Sequence, residues 1–309
     1  MTIAASDANL TGTPTSAPPQ ARRPRVVRPA RVAAQVFMIT VTVLWLVPIV
    51  FALYVSLRPV AETSKYGYVS LPHRLTLDNF SAAWTQSQMF HYFLNSLYVT
   101  APSVVLALGL ASAVAFVLSR FTFRFNITLL IMFTAGNLLP QQVIITPLYR
   151  LYLQIHVPGF ISAGGLLYNS YAGLIVINVS FQLGFCVFVL SNYMKSIPGE
   201  MYEAALVDGA SLWIRYWRLT LPLCRPALAA LATLLTTWIY NDFFWAIVLI
   251  QQGDKRPVTS ALANLQGQFV SNQNMIAAAA LMAAIPTLIV YVVLQKQFIA
   301  GLALGSSKG

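Results

Sequence analysis

Six long apolar stretches, divided by shorter polar ones, organise the chain. Residues 32–57, 91–119 and 125–149 hold no Asp, Glu, Lys or Arg. A fourth lies within 151–194, where Pro158, Gly159 and the Gly164–Gly165 pair blur the start and place the span near 169–193. Residues 226–253 form the fifth, interrupted only by Asp242, and the sixth lies inside 257–295, near 275–295. A bilayer core about 30 Å thick is crossed by roughly 20 helical residues. Each stretch reaches that length, so the pattern predicts six transmembrane helices. Pro48, Pro102, Pro140, Pro147 and Pro286 fall in or beside these spans and predict bends.

Composition excludes most alternatives. Of 309 residues, 58% are hydrophobic and 9% charged, against about a quarter charged in a soluble domain, and mean hydropathy is +0.68. So few charges cannot cover a water-soluble surface, which argues against a soluble enzyme, a nucleic-acid binder and a disordered protein. Cys186 and Cys224 show no CxxC and no metal-ligand spacing, and read as buried or unreactive thiols. No metal site and no catalytic residue is expected. His73, His91 and His156 lie in a loop or at span edges and read as solvated imidazoles.

The net charge of +11 is a topology signal. Six spans put both termini on one side. With that side taken as the cytoplasm, thirteen of the 19 Lys and Arg fall on inside segments and six on outside ones, the bias of the positive-inside rule. Residues 1–31 carry five prolines among small polar residues, then Arg22, Arg23, Arg25, Arg28 and Arg31. They predict a disordered basic cytoplasmic tail whose arginines touch anionic lipid headgroups. The apolar stretch after it is too long for a signal-peptide core and has no small-residue cleavage site behind it. Residues 32–309 are then one transmembrane domain, with an inside loop over 194–225.

That loop carries three of the eight acids, Glu200, Glu203 and Asp208. Ser196 through Glu200 reads as a helix start, with Ser196 as cap, Pro198 in the first turn and Glu200 against the positive helix end. Gly209 is placed to close this helix in the left-handed conformation. Ser211 caps a second helix running through Arg218, and Leu221–Pro222 breaks it before the fifth span. The expectation is two short helices at an angle.

Glu203-Ala204-Ala205 is followed after three residues by Gly209 and, after nine more, by Leu219-Thr220-Leu221-Pro222. This spacing resembles the signature of inner-membrane permease subunits of ATP-binding-cassette importers, with Leu219 in place of the more usual isoleucine. Ser56–Pro59, Thr76–Phe80, Asn95–Ser96, Leu139–Pro140 and Asn241–Phe243 look like the carbohydrate-uptake branch, closest to the smaller permease of maltose-type systems. The resemblance covers about residues 33–309. The ending, with Gly301 and Gly305, resembles that subunit's docking tail and departs from it at Ser306 and Ser307.

The resemblance implies an all-α polytopic membrane protein of the type I importer permease fold, set in a bacterial inner membrane. It implies that the loop is a coupling helix seated on an ATPase. Ala204 and Ala205 would admit a partner backbone, Glu203 and Asp208 would offer charge, and Gly209, Leu221 and Pro222 would shape the turns. The implied partners are a second homologous permease, two ATPase subunits and an extracytoplasmic sugar-binding protein. The chain lacks a phosphate-cradling G-x-x-x-x-G-K-[ST] loop, so no cofactor is expected on it, and ATP and Mg belong to the partner. An amphipathic surface helix without a partner is the other reading of the loop. Asp242, with Asn241 beside it, is read either as lining the translocation path or gate or as a helix-packing hydrogen bond. A secondary transporter without an ATPase is the alternative function; it predicts ionisable residues in several spans and often two similar halves.

Overall fold

The computed structural model describes the backbone of residues 29–136, 140–265 and 272–306. Among these residues the regular structure is helical, with a single isolated bridge between His156 and Leu166. Residues 1–49 and 50–309 form two compact units. In the first, Pro29 opens α1 (Pro29–Ser56); proline has no amide hydrogen to satisfy and its φ suits the first turn. The helix therefore starts inside the stretch expected as tail, and residues 1–28 lie outside the described residues. Side chains from Val32 to Ile49 are exposed on nearly every face, the pattern of a helix surrounded by an apolar medium rather than water.

The second unit starts with the end of α1, followed by α2 (Val60–Tyr66) and α3 (Asp78–Gln86). Its centre is the pairing of α4 (Met89–Arg120) with a later helix, and the two run the same way. At one end Tyr171 donates to Asn95 Oδ1 over 2.7 Å. At the other, Arg120 donates to the carbonyls of Met194 and Ile197. Two parallel helices require a return crossing between them. α5 (Asn126–Gly136), a 3-10 turn and α6 (Ile145–Gln154) lie on that segment, and α7 (Tyr171–Lys195) then runs beside α4.

The third stretch is bent at Pro140, where a bend was expected, and the fifth departs from the sequence expectation. Residues 125–149 do not form one straight span: Asn126–Gly136 and Gln141–Gln154 are bent by 88° to each other. Pro140 stands extended at ψ 124 before the second helix and has no amide hydrogen for a helical bond. After α7 the loop folds as α8 (Gly199–Val207), α9 (Leu212–Ile214), a π-helical turn over Arg215–Thr220 and α10 (Leu221–Leu223). α11 (Arg225–Tyr240) leaves at 71° to Leu212–Leu223. The fifth stretch then stops at Tyr240, and α12 (Phe244–Leu249) restarts after a gap. α13 (Val258–Ala261) and α14 (Gln273–Ser306) complete the order, with Pro286 inside α14. Among the described residues, four helices are long and apolar enough to cross a membrane, and up to six spans result if each bent pair counts as one.

Polar side chains fasten the Asn95 end of this unit. The Arg58 side chain is fully buried and donates to Glu62 Oε1 (2.9 Å), Ser70 Oγ (2.7 Å) and the carbonyls of Gly67 and Tyr68. Asn79 Nδ2 donates to the Ser56 and Arg58 carbonyls, and Asn274 Nδ2 to those of Val55 and Arg58. The last carbonyls of a helix have no partner within it; here α3 and α14 supply them for α1.

Candidate functional site

The signature loop forms a hook at the Arg120 end of α4 and α7. Ser196 Oγ donates to the Tyr193 carbonyl, so Ser196 closes α7 and does not cap α8 as the sequence suggested. Pro198 occupies the cap position instead, and Glu200 lies in the first turn of α8. At the far end, the Gly209 amide donates to Leu206 and the Ala210 amide to Ala205. Gly209 has φ +73, the left-handed closure expected of it. Ser211 Oγ then accepts from the Ile214 amide and opens α9, also as expected.

The second helix widens into a π turn, and its anchors explain why. Tyr216 is buried, its hydroxyl 2.7 Å from Ser112 Oγ on α4 and its ring 5.3 Å from that of Phe116. Thr220 Oγ1 donates back to the Arg215 carbonyl, five residues earlier. Wider turns of this kind recur at functional sites. The break expected at Leu221–Pro222 falls later: Pro222 belongs to α10, and the chain bends at Cys224.

These anchors leave the signature residues outward. Glu203, Ala204, Asp208 and Gly209 are exposed, and Ala205, Leu221 and Pro222 are half-buried. Val207 is 87% exposed and Trp213 68%. A continuous apolar surface rimmed by charge marks a contact surface. Beneath it, Tyr202 is buried, and its hydroxyl lies 2.9 Å from Thr220 Oγ1. One face of the hook is thus fixed to the bundle and the other offered outward.

Asp242 sits in the break between α11 and α12, not within a continuous helix as expected. Its Oδ1 accepts from the Trp245 amide at 3.1 Å, and its Oδ2 accepts from Asn178 Nδ2 on α7 at 3.3 Å. Thr259 donates to its carbonyl. Asn241 is exposed and its Nδ2 returns to the Thr237 carbonyl. Side chains that bond nearby backbone compete with the helical ladder, which accounts for the interruption. Gly301 and Gly305 lie on the last turns of α14; the surroundings that would test tail docking are outside the described residues, as is Leu139.

Sequence reasoning missed Arg58, Asn79, Asn274, Asn178 and Arg120 as structural hubs. Arg58 and Arg120 counted there only as topology charges. The motifs Ser56–Pro59 and Thr76–Phe80 were the available signal, since they bring Arg58 and Asn79 together. Glu62 shows the strength of that cluster: the His73 amide first, with the Arg58 guanidinium and the Arg74 amide, holds its carboxyl down to about 2, although burial pushes it up.

Parallel central helices, a broken return crossing and an outward hook define the membrane-spanning subunit of a solute importer. The chain belongs to the family described as the inner-membrane component of binding-protein-dependent transport systems, whose model matches residues 105–302. It is similar to the melibiose/raffinose/stachyose import permease protein MelC of Bacillus subtilis, 31% identical over 77% of this chain and 83% of that protein. It is likewise similar to the diacetylchitobiose uptake system permease protein NgcG of Streptomyces coelicolor, 31% identical over 86% of this chain and 85% of that one. Among solved structures, a chain of a bacterial ABC transporter involved in the import of the acidic polysaccharide alginate shares the fold. Its TM-score is 0.70 at 22% identity, over 88% of this chain and 98% of that chain. The protein is an importer permease, a transport subunit of all-helical fold.

Proposed function

We propose that this subunit forms half of a sugar pathway through a bacterial inner membrane. The observation that carries the proposal is the hook: the Glu203–Pro222 signature is folded with its buried face on α4 and its exposed face outward. That exposed face is the seat of a cytoplasmic ATPase, which hydrolyses ATP with Mg while this chain binds neither. Glu203 and Asp208 pair with basic groups of the groove, Ala204 and Ala205 admit its backbone, and Gly209, Leu221 and Pro222 set the hook's angle. A second homologous permease completes the pathway, two ATPase subunits drive it, and an extracytoplasmic sugar-binding protein delivers the solute. Both termini face the cytoplasm, with the basic segment before α1 on anionic lipid and the Gly301–Gly305 segment docked beside the ATPase.

Sugar as cargo rests on the relatives, whose names specify melibiose, raffinose, stachyose and diacetylchitobiose. Asp242 acts in packing, because both of its carboxylate oxygens have partners, and Asn241 lies beside it at the gate. The test is uptake of radiolabelled oligosaccharides by cells lacking this chain. Loss of uptake of at least one neutral sugar is expected, restored by the wild-type chain but not by Glu203→Lys. Uptake that persists after ATP depletion with the proton gradient intact would instead support the secondary-transporter reading.

A further inference from the structure

The fixed face of the hook meets the bundle at two places: Tyr216 against Ser112 and Phe116 of α4, and Tyr202 against Arg120. Arg120 ends α4, is half-buried, and spreads its guanidinium over the Tyr202 ring of α8, with 3.7 Å between its central carbon and the ring centroid. The same guanidinium donates to the Met194 and Ile197 carbonyls at the end of α7. The Tyr202 hydroxyl continues to Thr220 Oγ1 in the second half of the hook, and Thr220 to the Arg215 carbonyl. Asn126 Nδ2 donates to the Leu118 and Phe121 carbonyls and so fixes the end of α4 around Arg120. A planar guanidinium can stack on an aromatic face while its edges hold carbonyls, which an ammonium cannot do at once.

We infer that Arg120, outside the signature, is the positioning residue that carries displacement of the hook into the spans α4 and α7, with Tyr202 and Thr220 as its relay. Helix ends moved by α8 alone would slide; joined through one stiff, partly dehydrated cation, α8 and both spans move as one body. The inference rests on the ATPase-docking reading of the hook, and its test separates the two.

The importer is purified from its source cells through a tag on this chain and reconstituted in lipid nanodiscs. Spin labels are placed singly at Val207→Cys on the hook and Val176→Cys on α7, both exposed; the native Cys186 and Cys224 are wholly buried. In the otherwise wild-type complex, ATP with Mg and vanadate is expected to shift both spectra. In Arg120→Met the Val207 label should still respond while the Val176 response is lost, with Arg120→Lys intermediate. Tyr202→Phe keeps the ring and removes only the bond to Thr220, and should weaken the Val176 response if Arg120→Met fails to assemble. A Val176 response unchanged in Arg120→Met, or in Tyr202→Phe where only that variant assembles, overturns the inference and leaves the docking reading standing. A Val207 label silent in the wild-type complex overturns the docking reading itself.

Discussion

Arg58 Nη2 lies 2.9 Å from Glu62 Oε1, with the arginine side chain wholly buried and the glutamate nearly so. The same arginine's carbonyl accepts from Asn79 and Asn274, so three separate segments converge on one residue at the mouth of α1. Breaking a buried pair by removing one partner is more damaging than never having had it, because the remaining charge is left dehydrated.

Glu62 sets a pH dependence whose sign follows from its depressed pKa. The folded carboxyl titrates near 2 against an ordinary 4.5, so its contribution to stability is present in full above 4.5 and fades as pH falls toward 2. Glu62→Gln should melt lower than wild type at pH 7, and the gap should close between pH 4.5 and 2. Thermal melts in detergent across that range check it; a gap constant with pH refutes it.

Gly209 and Glu203 separate shape from charge in the hook. Gly209→Ala forces a side chain into φ +73 and should cost about 1 kcal/mol, lowering uptake in part. Gly209→Pro also removes the amide bonded to Leu206 and should abolish uptake while the chain still inserts. Glu203→Lys changes an exposed group, so stability should stay within about 0.5 kcal/mol of wild type while transport is lost. Membrane fractionation with uptake assays distinguishes these outcomes.

Gly173 allows the close crossing at the start of α7. A Cβ there would stand 2.4 Å from the Leu167 carbonyl oxygen and 3.1 Å from the Tyr152 ring, while the Tyr152 hydroxyl donates to the Gly173 carbonyl. Gly173→Ala should destabilise by about 1–3 kcal/mol through overpacking. A lower melting temperature with unchanged membrane insertion is the expected measurement.

Asp242→Asn keeps one acceptor, for the Trp245 amide, and turns an amide donor toward the Asn178 donor, whereas Asp242→Ala leaves both donors without an acceptor. The alanine variant should lose about 1–3 kcal/mol and transport capacity, with the asparagine variant between it and wild type. An altered KM for sugar in Asp242→Asn would place the carboxylate on the path instead of in the packing.

Sequence alone determined the membrane class, the approximate limits of α1, α4, α7 and the start of α14, and the hook with its left-handed Gly209. Those features are local: apolar length sets a span, and turn chemistry sets a short helix end. Pro140 marked the bend in the third stretch, but the sequence did not determine where the fifth breaks, because apolar runs look alike whether the helix continues or not. Asp242 stops one by bonding Asn178, 64 residues earlier, and the Trp245 amide just ahead. Nor did it show that Arg58 and Arg120 are buried hubs. A charge count sees an arginine near a membrane surface as an orientation marker; only the packed structure brings Glu62, Asn79 and Asn274 around one and Met194, Ile197 and Tyr202 around the other. A partner's identity is decided by which distant groups the fold brings within hydrogen-bonding reach, and that is a property of the tertiary structure.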